Sequence, residues 1–404
     1  MKRLLLLTSG FPPAVTAETP ALLAACRFLP ASGWELVVMA LEPSRRLHSD
    51  DTLTGEIPSK VRVFRGPGIQ DGAVLPTVLS DLLWAPDPLS RSRKAIVSAG
   101  LEIVRREKPN LIMPLMPSHS LGPVSVELAR KTGLPMIPFF AGLWQADYSA
   151  AWTSGMQRLL HGFLERSTVK SASALVTGSE GAAGWFMERY PGLCPPVHVA
   201  HNSFDPDRTS PAPPVEKGGE LRIGWVDSFR GTHTPDMVLS GVGEFFRRNP
   251  DTALRVEHAG MMPERSRTDK NVNFNGILPW RRMPAFMASC DVLLLSLPAG
   301  INSHRECPAA AADCLRTGRP IIAATPEGDM TQTLRTLGGA YICQPDPMAL
   351  ASTLEDVHDH WRKGILRAPR DQMKISEQRS GAVTMKHLAG FLDGFLGSAT
   401  EGRR

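Results

Sequence analysis

Residues 291–324, DVLLLSLPAGINSHRECPAAAADCLRTGRPIIAA, follow the order strand, loop, helix, strand. The apolar run 292–295 is of the kind that a parallel sheet buries on both faces. Pro308 suits the first turn of a helix, because its missing N–H would be unpaired there in any case. Gly318 ends that helix, and a second buried strand, 321–324, follows. The stretch therefore predicts one β-α-β unit of a parallel sheet.

The polar loop 300–307 lies at the carboxyl end of a strand, where open parallel sheets bind ligands. It leads into a helix N-terminus, whose unpaired N–H groups and dipole attract phosphate. Four alanines at 309–312 leave that helix end sterically open. Asp313 lies on the same helix face as Ala309 and Ala310, so its carboxylate is a candidate acceptor for ligand hydroxyl groups. The alternative is an ordinary β-α-β crossover with a solvated acidic residue.

Strand and helix patterns alternate along the rest of the chain, which predicts two parallel-sheet α/β domains. Residues 205–220 contain four prolines, two glycines and no apolar periodicity, so they are predicted to be the linker. The predicted domains are 1–204 and 221–378, followed by a C-terminal segment, 379–404.

The composition narrows the function classes. The six cysteines have no paired metal-ligand spacing, which predicts reduced thiols in a cytosolic protein and no metal site. The net charge of +5 and the pI near 9.0 fit phosphorylated substrates or an anionic membrane surface, with a solvated basic surface as the commoner alternative. The sequence has no basic motif with interleaved aromatic residues, so no motif in it indicates nucleic-acid binding. The N-terminal apolar run stops at Leu7, too short for a secretory signal, and no run reaches the ~18 residues of a membrane span.

The spacing of the helix resembles a known signature. An acidic residue, Asp313, stands five residues before Gly318 and seven before Pro320, in a helix that begins with proline between two apolar strands. This pattern resembles the donor-binding signature of GT-B glycosyltransferases, most closely the retaining family 4. The order of elements extends the resemblance over nearly the whole chain. It implies two Rossmann-like parallel-sheet domains facing across a cleft, acceptor domain first, with a last helix within 379–404 packed back on the first domain.

The resemblance also implies a set of site residues. In that family two glutamates eight residues apart hold the donor's sugar and ribose hydroxyls. The second position is Asp313 here, whereas the first falls on Arg305, with Glu306 one residue later. The resemblance therefore implies that Glu306 contacts the transferred sugar and that Asp313 contacts the ribose. It places the donor diphosphate at the Pro308 helix end, with Arg230 and Arg305.

Further positions of the donor domain follow from the same resemblance. Ser228, after the strand 221–226, and Gly276, in the segment for the nucleotide base, are expected to contact the donor. Many relatives have glycine at Asp227 and lysine at Ala310, so this chain departs from the family at both. For Arg230, a solvent-exposed loop arginine is the alternative to a phosphate partner.

Two features of the first half bear on the acceptor. His119 follows the strand 111–115 and opens a helix, where acceptor chemistry would occur, although a lone histidine is more often structural. Residues 66–95 combine apolar side chains with Arg91, Arg93 and Lys94, which suits a membrane surface or a lipid-linked acceptor. A helix packed on its own domain is the favoured alternative.

The sequence thus predicts a metal-independent retaining glycosyltransferase, without a cofactor, in glycan or polysaccharide biosynthesis. Its partners would be a nucleotide sugar and a carbohydrate or lipid-linked acceptor. The protein would be cytoplasmic, with peripheral contact to the inner face of the membrane as an option. Two alternatives remain open: a catalytically silent GT-B protein that binds a nucleotide or scaffolds a glycan-assembly complex, and a nucleotide-sugar epimerase. Fold alone does not decide between them.

Overall fold

The computed structural model describes residues 2–42, 48–68, 84–147, 149–150, 152, 154–213, 219–229, 231–263, 269–337, 339–369 and 371–396. Arg230 and residues 69–83 of the predicted patch at 66–95 lie outside the described residues. The strands in the described ranges are β1 (Lys2–Thr8), β2 (Trp34–Leu41), β3 (Arg62–Gly66), β4 (Leu111–Met116), β5 (Phe139–Phe140), β6 (Leu175–Thr177), β7 (Val197–Val199), β8 (Leu221–Val226), β9 (Leu254–Ala259), β10 (Val272–Phe274), β11 (Val292–Ser296), β12 (Ile321–Ala324) and β13 (Ala340–Cys343).

The helices alternate with these strands for most of the chain, as a doubly wound sheet requires. They are α1 (Thr19–Phe28), α2 (Arg93–Glu107), α3 (Leu121–Thr132), α4 (Gly155–Ser171), α5 (Glu180–Arg189), α6 (Asp236–Arg248), α7 (Met283–Ser289), α8 (Ala310–Thr317), α9 (Asp329–Leu337), α10 (Pro347–Lys363), α11 (Gln372–Arg379) and α12 (Gly381–Asp393).

The first sheet is parallel, with strand order β3-β2-β1-β4-β5-β6-β7. Strand β1 is an interior strand between β2 and β4, and its Leu4 is in register with Leu36 of β2 and Leu111 of β4. Alternate side chains of β1 enter different cores: Leu4 and Leu6 pack in one, Leu5 and Leu7 in the other. A strand with both faces covered must be apolar at every position, which explains the unbroken leucine run.

The second sheet has the order β10-β9-β8-β11-β12-β13 and is also parallel. Strand β11 repeats the pattern of β1, with Leu294 in one core and Leu293 and Leu295 in the other. All three side chains are at most 1% exposed. Burying one leucine fully contributes roughly 1.5–3 kcal/mol, so these two short runs anchor their sheets.

The contacts divide the chain into two units, and each unit contains one sheet. Helix α12 belongs to the first unit, where its Leu388 and Leu392 complete the core that also contains Leu4. The second unit comprises Asp147–Ala151 and Asn202–Ser380, so the predicted linker falls within it. The two-sheet α/β architecture predicted from the sequence is confirmed.

Candidate functional site

In the second sheet the order of the strands reverses between β8 and β11. The loops that leave these two neighbours run to opposite sides, which opens a crevice at their carboxyl ends. Ser296, the last residue of β11, donates a hydrogen bond of 2.6 Å to the carboxylate of Asp227, the first residue after β8. The two strand ends that frame the crevice are therefore joined by a carboxylate.

Two other groups contact the Asp227 carboxylate. The Nε2 atom of His233 lies 3.2 Å from each carboxylate oxygen, and the backbone N–H of Ser228 donates at 2.8 Å. The His233 side chain is 4% exposed and the Asp227 side chain 14%. A carboxylate thus lies at the switch point of the sheet, between the ends of β8 and β11.

The loop after β11 packs against Gly328, the residue directly before α9. A Cβ atom on Gly328 would lie 2.0 Å from the carbonyl oxygen of His304, so only glycine permits this approach. Ser303–Arg305 form a short 3-10 turn, and α8 begins at Ala310 rather than at Pro308 as predicted. The Ala311 N–H donates to the Pro308 carbonyl at 3.0 Å, so Pro308 forms the turn that leads into the helix.

The predicted sugar contact, Glu306, and two predicted diphosphate contacts, Arg305 and Pro308, lie on this loop. Arg305, Glu306 and Pro308 are all half-buried, as are Ala309 and Ala310 at the helix start. A ligand can therefore reach the N-terminus of α8 without displacing core side chains. The helix dipole and the Arg305 guanidinium both favour an anion at this position.

Asp313 is engaged by the segment that the sequence predicted to be linker. Arg208 pairs with one carboxylate oxygen at 2.6 Å, and the Thr209 hydroxyl donates to the other at 2.6 Å. The Arg208 guanidinium also lies over the ring of Trp280, 4.3 Å from its centroid. Asp313 therefore has an internal partner on each oxygen, and a ribose hydroxyl would use the lone pairs that remain.

The turn at residues 202–205 also contacts the segment that leads into α8. The Asn202 side-chain amide donates to the Cys307 carbonyl at 2.9 Å, directly before Pro308. Asp205 accepts a hydrogen bond from the Asp207 N–H at 3.0 Å, and this turn presents Arg208 to α8. Two segments that are about a hundred residues apart in the chain thus shape one helix end.

Ser228 and Gly276 lie on the neighbouring strand ends of the same edge. The Ser228 hydroxyl accepts from the Met261 N–H at 3.2 Å, and the Gly276 carbonyl accepts from the Gly260 N–H at 2.9 Å. Gly260 has φ +146°, and a Cβ there would lie 1.7 Å from the Asp227 carbonyl oxygen. Glycine at this position lets the loops after β8, β9 and β10 come together. The predicted donor residues inside the described ranges therefore share one edge of the second sheet.

His119 lies at the corresponding edge of the first sheet, where the order reverses between β1 and β4. The hydroxyls of Ser9 and Ser118 are hydrogen-bonded there, and they join the loops after the two strands. The His119 ring stacks on Trp144 with a centroid separation of 4.5 Å and an angle of 2°. The structure thus places His119 at a switch point in a fixed ring orientation.

Helix α4 supports Trp144 through its buried face. The Trp144 indole N–H donates to Nδ1 of His161 at 3.0 Å. One turn further, Glu165 is fully buried and accepts from the Gln145 N–H at 2.7 Å and the Tyr190 hydroxyl at 2.5 Å. Burial raises the pKa of Glu165, while these two hydrogen bonds act in the opposite direction.

The structure adds residues that the sequence reasoning gave no role. Asp227 and His233 are two of these residues. They pair across a loop, and such a pair produces no periodic pattern in the sequence from which it could be predicted. His161 and Glu165 were also missed, although their spacing of four residues places them on one helix face. No group of three or more His, Cys, Asp or Glu side chains within the described ranges is arranged to hold a metal ion. None of the described helices has the length and apolar character that a membrane crossing requires.

Comparison with solved structures finds similar architecture at low sequence identity. Sucrose-phosphate synthase from Thermosynechococcus elongatus has a TM-score of 0.72 at 12% identity, covering 98% of this chain and 100% of that one. HepE from Anabaena, solved with UDP and glucose, has a TM-score of 0.67 at 14% identity, covering 97% and 99%. A Listeria monocytogenes protein assigned as a UDP-N-acetylglucosamine 2-epimerase has a TM-score of 0.57 at 10% identity, covering 99% and 98%.

No family model and no curated protein sequence matches the chain. The structural likeness therefore establishes the fold. Its two parallel α/β sheets and its similarity to glycosyltransferase structures over their full lengths give this protein the GT-B fold.

Proposed function

We propose that this protein is a glycosyltransferase that moves a sugar from a nucleoside diphosphate donor to a carbohydrate or lipid-linked acceptor. One observation carries the proposal. Ser228 and Gly276 lie on the same sheet edge as the α8 N-terminus, where Glu306, Pro308 and Asp313 are found. Open doubly wound parallel sheets bind ligands at the carboxyl ends of their strands, so the nucleotide would lie along this edge.

Each residue has a definite role in this proposal. The N–H groups of α8 and the Arg305 guanidinium would hold the diphosphate and stabilise the charge that develops as it leaves. Glu306 would contact the transferred sugar and Asp313 the ribose. Arg230, outside the described residues, remains a predicted phosphate partner. His119 of the first unit would serve the acceptor hydroxyl.

The solved relatives support the donor class. HepE was solved with UDP and glucose and also with UDP-glucose, and it covers this chain almost completely. Retention of configuration, and reaction without a metal ion, follow from the resemblance to family 4. Both are part of the proposal.

The test is nucleotide binding followed by transfer. UDP, other nucleoside diphosphates and their sugars should raise the melting temperature, because ligand at ~100 times its Kd stabilises a fold by about 2.7 kcal/mol. Transfer should then be detected with the stabilising donor and a panel of glycan and lipid-linked acceptors. A protein that none of these nucleotides stabilises is not a nucleotide-sugar transferase.

A second candidate is a GT-B protein that binds nucleotide without transfer. Two departures from the family favour it: Arg305 stands at the first glutamate position, and Ala310 stands where many relatives have lysine. Nucleotide binding with no transfer to any acceptor would support this reading. An epimerase, suggested by the Listeria structure, would instead convert a nucleotide sugar without any acceptor.

A further inference from the structure

Helix α4 exposes a row of large apolar side chains to solvent. Met156, Leu159 and Phe163 are 63%, 70% and 68% exposed. Their spacing of three and four residues puts them on one face of the helix. The other large apolar side chains that are exposed in the described residues lie one to an element, on strands, helices or loops elsewhere. Met156, Leu159 and Phe163 therefore form one continuous apolar stripe, unlike the single exposed apolar side chains elsewhere.

The stripe is additional to the packing face of the helix. His161, Glu165, Thr168 and Val169 form that face and are buried in the first unit. The exposed row therefore has no part in the core.

The same exposed face continues in basic side chains. Arg166 and Lys170 follow Phe163 at the same helical spacing, and both are exposed. Arg158 is a third exposed cation of the helix, and none of the three forms an ion pair with another described residue. The single acidic residue of the helix, Glu165, is buried and faces the other way. The exposed face thus carries apolar groups and positive charge only.

We propose that this face of α4 docks on an anionic lipid surface. A 17-residue helix is roughly 25 Å long, so it can lie in the headgroup plane with its apolar side chains inserted at the acyl boundary. Arg166 and Lys170 would then meet lipid phosphates, and each cation near an anionic surface adds to the attraction. A second copy of the chain fits less well, because its α4 face offers no acidic side chain to pair with these cations.

This surface is separate from the basic and apolar segment predicted at 66–95, and it does not depend on the proposed function. Docking through α4 would nevertheless affect where His119, the candidate acceptor residue, lies relative to the membrane. The buried face of α4 holds Trp144 through His161, and His119 stacks on Trp144. One helix diameter, about 10 Å, separates the exposed stripe from the side chains that position His119. A docked α4 would bring the switch point of the first sheet near the headgroups.

The test is sedimentation of the full-length protein with lipid vesicles. Vesicles of phosphatidylcholine with phosphatidylglycerol should bind it, whereas phosphatidylcholine alone should bind about tenfold less, and salt should weaken binding to the anionic vesicles. The double substitution Leu159→Ser with Phe163→Ser should lower binding by about tenfold or more. Arg166→Glu with Lys170→Glu should lower it by a similar factor.

Matched controls come from the second unit. Ile365 is 56% exposed and Arg362 is an exposed cation, so Ile365→Ser and Arg362→Glu should bind vesicles as wild type does. Melting temperatures of all variants check folding. Binding that ignores vesicle charge, or that is equal in the Leu159 and Phe163 double variant and wild type, overturns the proposal. So does sedimentation equilibrium that shows a wild-type dimer dissociated by this double variant, since the stripe would then be a protein interface.

Discussion

The carboxylate of Asp313 lies 2.6 Å from a guanidinium nitrogen of Arg208 and 2.6 Å from the hydroxyl of Thr209. The Arg208 and Asp313 side chains are 11% and 13% exposed, so this is a largely desolvated ion pair. Truncating either partner leaves a charge without its counter-ion, which is costly in such a place. The pair therefore both stabilises α8 and fixes the direction in which Asp313 can accept a ligand hydroxyl.

The first prediction separates these two roles. Asp313→Ala and Arg208→Ala should both lower the free energy of unfolding, because each breaks the same ion pair. Only Asp313→Ala should also lose the hydrogen bonds to the ribose, which corresponds to about 1–3 kcal/mol of nucleotide affinity. Calorimetric titration with the stabilising nucleotide measures this loss, and Asp313→Glu should retain binding. Equal affinity losses in the two alanine variants would mean that the effect is structural.

The second prediction concerns the Asp227 carboxylate. A charge pair at about 5 Å and an effective dielectric constant of about 20 interacts by about 3 kcal/mol, so even a screened repulsion opposes a diphosphate. Asp227→Asn keeps an acceptor for Ser296 and removes the charge. We expect nucleoside diphosphate affinity to rise about tenfold and nucleoside affinity to change little.

Asp359→Asn is the control for this variant. It removes a surface carboxylate near the end of α10, where Asp359 pairs with Lys363, so it should leave both affinities unchanged. A lower diphosphate affinity in Asp227→Asn would show that the carboxylate belongs to a binding-competent site.

The sequence was sufficient for the architecture because the buried strands are apolar without interruption. The runs at Leu4–Leu7 and Val292–Leu295 form interior strands of their sheets, and their position predicted the candidate ligand-binding edge. The partners of Asp313 could not be predicted, because Arg208 is about a hundred residues away in a proline-rich segment. That segment has no periodicity, yet its first part packs on α8 through Thr209, which is fully buried. Tertiary contacts of this kind leave no local pattern.

The third prediction is a pH dependence of stability at Glu165. Burial raises its folded-state pKa above the unfolded value of about 4.3. The folded state therefore binds more protons between these two values, and the free energy of unfolding falls as pH rises through that window. In Glu165→Gln, the amide oxygen can accept from the Gln145 N–H and the amide nitrogen can donate to the Tyr190 hydroxyl. The stability of this variant relative to wild type should increase from about pH 4 upwards.

Urea unfolding over a pH series measures this difference. Glu102→Gln, at an exposed position of α2, controls for the loss of one negative charge. Unfolding free energies of wild type and Glu165→Gln that stay parallel across the series would show that burial does not alter the proton affinity of Glu165.

The last prediction tests Glu306, on which the proposal of sugar transfer most depends. Glu306 is half-buried just before the α8 N-terminus, where a carboxylate is stabilised by the helix dipole even without ligand. If it contacts the transferring sugar, Glu306→Gln should keep the melting temperature and nucleotide affinity and lose most of the turnover, because the contact acts in the transition state. Glu327→Gln changes an exposed glutamate before α9 that pairs with Arg335, and it should keep wild-type turnover. Full transfer activity in Glu306→Gln would remove Glu306 from the site, and Arg305 would then occupy the family's first glutamate position.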